Sequence, residues 1–214
     1  MKILFVSDKV VEHLYSLTVA ERYRDIELII GCGDLPYYYL EFILSMLNVP
    51  LLYVHGNHDP EREYLSDGSH IIGPSGGLNL HRRVHKENNL LLVGLEGSIR
   101  YKSGGNFQYT QQEMWLNVFS LMPRLYINKL LYGRYVDVLV AHSPPLGIHN
   151  GEDRVHVGFK AFLWFLKVFK PGYLIHGHRH VYRPDEITET RYIDTLVKNI
   201  YPYKVVDIEV PNEQ

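Results

Sequence analysis

Along the first half of the chain, short apolar runs alternate with longer stretches whose apolar residues recur at helical spacing. Ile3 to Val6, Ile26 to Ile30 and Leu51 to Val54 are nearly continuous apolar runs bounded by polar residues or glycine. That is the pattern of strands buried on both faces. Between the second and third runs, Pro36 to Leu47 places Leu40, Ile43, Leu44 and Leu47 on one helical face, and Pro36 suits the first turn. Strand, helix, strand in succession predicts a parallel sheet. In the second half, Leu90 to Leu95, Val136 to Ala141 and Tyr173 to His176 read as strands. Thr110-Gln111-Gln112-Glu113 has the capping-box pattern, after which Trp115, Val118, Phe119 and Met122 share a helical face that Pro123 should kink or split. Phe162, Phe165, Leu166 and Phe169 form another helical stripe, read as core. Arg191 to Val197 and Tyr203 to Val210 read as a terminal hairpin. With no linker, repeat or low-complexity segment, the expectation is a single α/β domain over residues 1–214 with more than one sheet.

Composition narrows the class. The 214 residues are 46% hydrophobic and 21% charged, which excludes a disordered chain or a coiled coil. Lys and Arg total 22 against 24 Asp and Glu, a formal charge of -2, so bulk electrostatics argue against a nucleic-acid polymer as partner. Cys32 is the only cysteine, so no intrachain disulfide forms and a reducing compartment fits; between glycines, it reads as a small buried hydrophobe. The run starting at Met1 is too short for a signal peptide, and no apolar stretch approaches the ~18 residues of a membrane span. The expectation is a cytoplasmic protein without a membrane partner.

The candidate chemistry sits where the strands end. Five strands are followed at once by Ser7-Asp8, Gly31-Cys32-Gly33-Asp34, Gly56-Asn57-His58-Asp59, Ala141-His142-Ser143 and Gly177-His178-Arg179-His180. In open α/β sheets the carboxyl ends of neighbouring strands lie side by side, so these residues should converge in one crevice. Carboxylate, amide and imidazole donors together suit first-row divalent ions. Taken singly, each has an ordinary alternative: Asp8 as a helix cap, Gly-Asn-His-Asp as a turn, His142 as a core histidine.

In that order, the motifs resemble the calcineurin-like metallophosphoesterases, whose pattern is Asp-x-His, Gly-Asp, Gly-Asn-His-(Asp/Glu), a single His and Gly-His-x-His. The resemblance runs from Lys2 to about Val210 and implies a four-layer α/β/β/α sandwich with two mixed sheets. It implies two divalent ions, Mn, Fe or Zn, with Asp34 bridging them. Asp8 and His180 would hold the first ion, and Asn57, His142 and His178 the second. His58 would face the phosphate and the leaving oxygen, with Asp59 behind it. The implied reaction is hydrolysis of a small-molecule phosphate ester, a phosphodiester before a monoester, by a hydroxide bridging the ions.

The first motif departs from the pattern, reading Asp8-Lys9-Val10 where the family has a histidine third. An isopropyl group cannot bind metal, so the first site loses a ligand: water fills the gap, which is the favoured outcome, a nearby side chain such as His13 swings in, or the first ion binds weakly. A competing expectation is a metal-poor scaffold on the same fold, the use a retromer subunit makes of it. A nuclease would want a basic surface that this composition lacks. Glu96 to Tyr101 and His149 to His156 follow strands and could line the pocket, and Arg154 or Arg179 could meet phosphate.

Overall fold

The computed structural model describes residues 1–151 and 153–211. Two mixed sheets dominate it. In the first, Lys2–Val6, Leu28–Gly31, Leu51–Tyr53 and Gly77–Asn79 run parallel in that order, and Tyr203–Asp207 closes the edge antiparallel to Lys2–Val6. In the second, Leu90–Leu95, Val138–Ala141, Tyr173–His176 and Thr195–Asn199 are parallel neighbours, flanked by antiparallel edges Val84–Glu87 and Glu189–Tyr192.

Strand side chains alternate between faces, so the two-residue period splits each strand between two cores. Ile3, Phe5, Leu28 and Ile30 from the first sheet meet Leu90, Leu92, Val138, Val140 and Ile175 from the second in a buried cluster between them. Leu4, Val6, Ile29 and Leu51 face outward onto the helices Val19–Arg22 and Tyr37–Leu47. Val93, Leu95, Leu139 and Leu174 face outward onto the helices Gln111–Tyr132 and Lys160–Phe169. Three cores separate four layers, the α/β/β/α sandwich that the motifs implied. None of the described helices is long and apolar enough to cross a membrane.

Two expectations are corrected. Pro123 neither splits nor ends its helix, which runs unbroken from Gln111 to Tyr132 behind a complete Thr110–Glu113 capping box. Pro123 lies on the exposed side, where water can take the carbonyl one turn earlier that has lost its amide partner. The buried stripe of this helix accordingly runs through Met114, Val118, Leu121 and Leu125, while Phe119 is exposed. The terminal segments also do not pair with each other. Glu189–Tyr192 and Thr195–Asn199 form a hairpin in the second sheet, and the chain then crosses at residues 200–202 to complete the first. Edge pairing with Lys2–Val6 satisfies a row of backbone groups that a local hairpin would have left open.

Phe162, Phe165 and Phe169 are fully buried against the second sheet. Phe165→Ala should therefore lower unfolding free energy by about 3–5 kcal/mol in urea titration. A loss below about 1 kcal/mol would mean that this layer is loosely packed.

Candidate metal centre

Each sheet carries its parallel strands with their carboxyl ends at one edge, and the two edges meet. Cys32, at the exit of Leu28–Gly31 in the first sheet, offers its carbonyl to His142 Nδ1 at 2.7 Å, and His142 follows Val138–Ala141 in the second. That bond makes Nδ1 the protonated nitrogen and directs Nε2 into the crevice, 3.3 Å from Asp34 Oδ2 and 3.2 Å from Asn57 Oδ1. His178 is turned by the same device: Nε2–H donates to the Val155 carbonyl at 3.0 Å, leaving Nδ1 free. One donor atom from each of Asp34, His142 and His178 lies within 4.8 Å of the others.

Asp8 and His180 make a second locus beside the first. Asp8 Oδ2 accepts from the Ser7 hydroxyl and from the His178 amide, the latter at 2.9 Å. Asp8 Oδ1 is buried with no hydrogen-bond partner, 3.6 Å from His180 Nε2. His180 is fixed by its ring stack on Tyr201, with centroids 4.5 Å apart, and by Tyr182 Oη at 2.8 Å from Nδ1. Among the described residues, Val10 packs on the outer apolar core and His13 lies edge-on against Tyr203.

The crevice is held open at a conformational cost. Asp8, Asp34 and His178 have φ values of 63°, 57° and 62°, a left-handed region that side-chain-bearing residues avoid. Such residues cost roughly 1–3 kcal/mol each and persist only where their surroundings enforce them. Two neighbouring glycines explain how the loops approach so closely. A Cβ at Gly56 would collide with the Asp34 carboxylate, and one at Gly177 with Ser7 Oγ and Asp8 Oδ2.

His58 is exposed, and its amide donates to Asp34 Oδ1 at 2.7 Å. Asp59 is buried and takes the amides of Gly56, Asp34 and Leu35 at 2.8, 3.1 and 3.1 Å. It supports His58 through the backbone of the turn rather than through the ring, and is a positioning residue. Burial, with the Asp34 charge added, raises its pKa to about 6. The backbone carbonyls of Cys32 and Val155 that aim the two imidazoles carry no residue-type signal, and sequence reading missed them. His149 turns away from the crevice, with Nδ1 3.0 Å from His176 Nε2. Arg154 is exposed, and Arg179 lies 3.7 Å from Glu186. Cys32 is fully buried, and burial raises its thiol pKa.

Electrostatics fit a cation at this place. Burial alone would lower the pKa of His142, but the Asp34 carboxylate outweighs it and raises the value to about 9. Burial likewise opposes ionisation of Asp34, yet His142 and the His58 amide bring it down to about 2. Burial and the neighbouring His142 push His178 down to about 3, so it is neutral. The unpartnered Asp8 oxygen, the glycine-cleared space and a donor set of two carboxylates, an amide oxygen and three imidazoles all suit divalent ions.

Loading of the crevice should be proton-linked. Below pH 9 the Nε2 proton of His142 competes with a cation for the same lone pair, so each bound ion displaces it. Titration of metal-free protein with Mn²⁺ should show affinity rising roughly tenfold per pH unit from neutrality toward pH 9 and levelling above. A flat profile across that window would exclude His142 as a ligand.

Comparison with known proteins agrees with the site. The family model for calcineurin-like phosphoesterases matches residues 1–182. An uncharacterised protein of Methanocaldococcus jannaschii, MJ1162, is 25% identical over 190 residues, covering 83% of this chain and 80% of that protein. TT1561 of Thermus thermophilus superposes with a TM-score of 0.58 at 14% identity, over 93% of this chain and 88% of that one. Another solved structure reaches 0.60 at 15% identity, over 93% and 90%. These structural likenesses share the fold alone, while the family match extends through every motif at the strand ends. The chain belongs to the calcineurin-like phosphoesterases, hydrolases that work with divalent metal ions.

Proposed function

We propose that the protein is a dinuclear, metal-dependent phosphodiesterase acting on a small-molecule ester in the cytoplasm, and that residues 1–214 form one catalytic domain. The observation that carries the reading is the clustering of Asp34, His142 and His178, with Asn57 Oδ1 against His142 Nε2, beside the Asp8–His180 pair with its unpartnered buried carboxylate oxygen. When bound, the two ions supply Lewis acidity toward the phosphoryl oxygens and a lowered pKa for water at the centre.

The chain's residues have separable tasks in this reading. Asp34, which lies against His142 and in one cluster with His178, would be the ligand shared by the two ions; Asp8 and His180 would complete one locus, and Asn57, His142 and His178 the other. Asp34 and Asp8 contribute two negative charges against two dications, so the loaded crevice is net positive and draws in an anionic ester. The exposed His58 ring stands beside Asp34, positioned to donate a hydrogen bond to the ester oxygens and to hand a proton to the leaving alkoxide. No nucleophilic side chain is required: the lone cysteine is buried and protonated. The preference for diesters rests on the resemblance to small, cap-free members of the family. Manganese is the ion of first choice for assay.

The scaffold alternative draws on Val10, which leaves the Asp8 locus one ligand short. Against it stand the left-handed backbones of Asp8, Asp34 and His178, since a scaffold gains nothing from conformations that cost stability at these residues.

With Mn²⁺, the protein should hydrolyse bis(p-nitrophenyl) phosphate faster than p-nitrophenyl phosphate. Asn57→Ala and His58→Ala should each reduce kcat/KM by about 100-fold or more, the scale of a lost general acid or ligand. Retention of full activity in both variants would remove the catalytic assignment. Val10→His should raise metal retained after dialysis toward two ions per chain, measured by elemental analysis. Unchanged stoichiometry would mean that Val10 does not weaken the first locus.

A further inference from the structure

Beside the metal centre lies a cavity of about 650 Å³ that none of the proposed ligands lines. Its walls include Tyr53, His55, Phe107 and Gln108, with Glu61, Arg62 and Arg83 at an exposed rim that carries two cations against one carboxylate. It is close to the chemistry. His55 is two residues from Asn57, so their Cα atoms are at most about 7 Å apart. The loop that forms the opposite wall also touches the metal-site turn: Asn57 Nδ2 donates to Tyr101 Oη and Asn106 Nδ2 to the Asp59 carbonyl, both at 3.4 Å.

The wall is built rigidly. Glu96 is buried at its centre and is held by Tyr109 Oη at 2.6 Å and His55 Nδ1 at 3.0 Å, with His81 Nε2 at 3.5 Å. His55 therefore cannot swing, and its ring stacks on Phe107 with centroids 4.2 Å apart and planes 9° from parallel. Phe107 itself has φ of 47°, an outlier for an aromatic residue. The Ser98 amide clamps its carbonyl at 3.0 Å, and a Cβ on Gly97 would collide with that carbonyl. The segment from Glu96 onward, which no ligand role explains, thus serves to present one half-buried aromatic ring. One polar group remains unused. Gln108 Oε1 accepts from the Tyr101 and Lys102 amides, which fixes the amide orientation, and Nε2 is buried with no partner.

From this we propose that the cavity binds a planar heteroaromatic group carried by the substrate, a nucleobase, so that the phosphodiester is a nucleotide ester. The base would extend the His55–Phe107 stack, accept a hydrogen bond from Gln108 Nε2 and bring its anionic phosphate past the two rim arginines, Arg62 and Arg83. A sugar would find too few free polar groups, since Glu96, His55 and His81 satisfy one another. A lipid chain has no use for a rim of charged side chains. The proposal rests on the phosphodiesterase reading for its link to catalysis, but binding in the cavity does not depend on turnover.

The test separates the two. Calorimetry on the protein, first freed of metal and then loaded with Mn²⁺, would compare AMP with ribose 5-phosphate. AMP should bind at least about tenfold more tightly in both states, the scale of one base–aromatic stack. Phe107→Leu, which keeps an apolar side chain but loses the flat face, should reduce AMP affinity toward that of ribose 5-phosphate. Arg83→Ala, at an exposed position that threatens no folding, should weaken AMP binding without moving the melting temperature. In kinetics, the kcat/KM ratio of p-nitrophenyl thymidine 5′-phosphate to bis(p-nitrophenyl) phosphate should fall in both variants. Equal binding of AMP and ribose 5-phosphate, or unchanged AMP affinity in folded Phe107→Leu and Arg83→Ala, would overturn the base pocket even if diester turnover is robust. AMP preference without any diester turnover would uphold the pocket and sink the phosphodiesterase reading.

Discussion

One hydrogen bond across the central core organises the active crevice: His142 Nδ1–H to the Cys32 carbonyl, a donor from the second sheet and an acceptor from the first. It fixes which imidazole nitrogen is bare, where that nitrogen points and how closely the two strand edges approach. Asp34 and Asn57 can meet His142 only because the edges are locked at that distance. The buried cluster that includes Cys32, Ile30 and Val140 keeps water from competing for the bond.

Around that bond the protein holds charge and strain that a purely structural crevice would avoid. A buried carboxylate oxygen without a partner costs on the order of 1–3 kcal/mol, and the left-handed backbones of Asp8, Asp34 and His178 add to it. Total stabilities of domains are only about 5–15 kcal/mol, so these terms are a sizeable share. Ligands that bind the folded state alone offset such costs by mass action. The crevice is thus preorganised for cations by the rigidity of its surroundings: two mixed sheets behind it, and Asp59 pinning the Asn57 turn to the Asp34 loop by three amides.

The cavity next to it follows the same construction rule. A buried, fully partnered carboxylate, Glu96, locks His55, and a glycine, Gly97, admits the strained Phe107. Both sites use local backbone strain to hold one functional group still, and both hang from the exit of the Leu51–Tyr53 strand. Metal turn and ring platform are therefore coupled through Gly56 to Pro60 and cannot shift independently.

Local pattern alone determined most of the strands, the helix over Tyr37–Leu47 and the candidate ligands, because apolar runs ending in Gly-Asp or Gly-Asn-His encode strand and exit turn within a few residues. The same locality explains where reading failed. Pro123 was expected to break a helix, but its exposure on the solvent side, a tertiary property, lets the helix pass through it. Tyr203–Asp207 looked like half of a hairpin, yet it pairs with Lys2–Val6, at the far end of the chain, since only the assembled sheet offers that open edge. Which nitrogen of His142 or His178 faces the crevice, and that Asp59 props a turn rather than a ring, depends on backbone carbonyls and amides that every residue possesses. Side-chain identity names the chemistry available to a chain; the direction in which each group points is decided by bonds to a backbone that carries no sequence label.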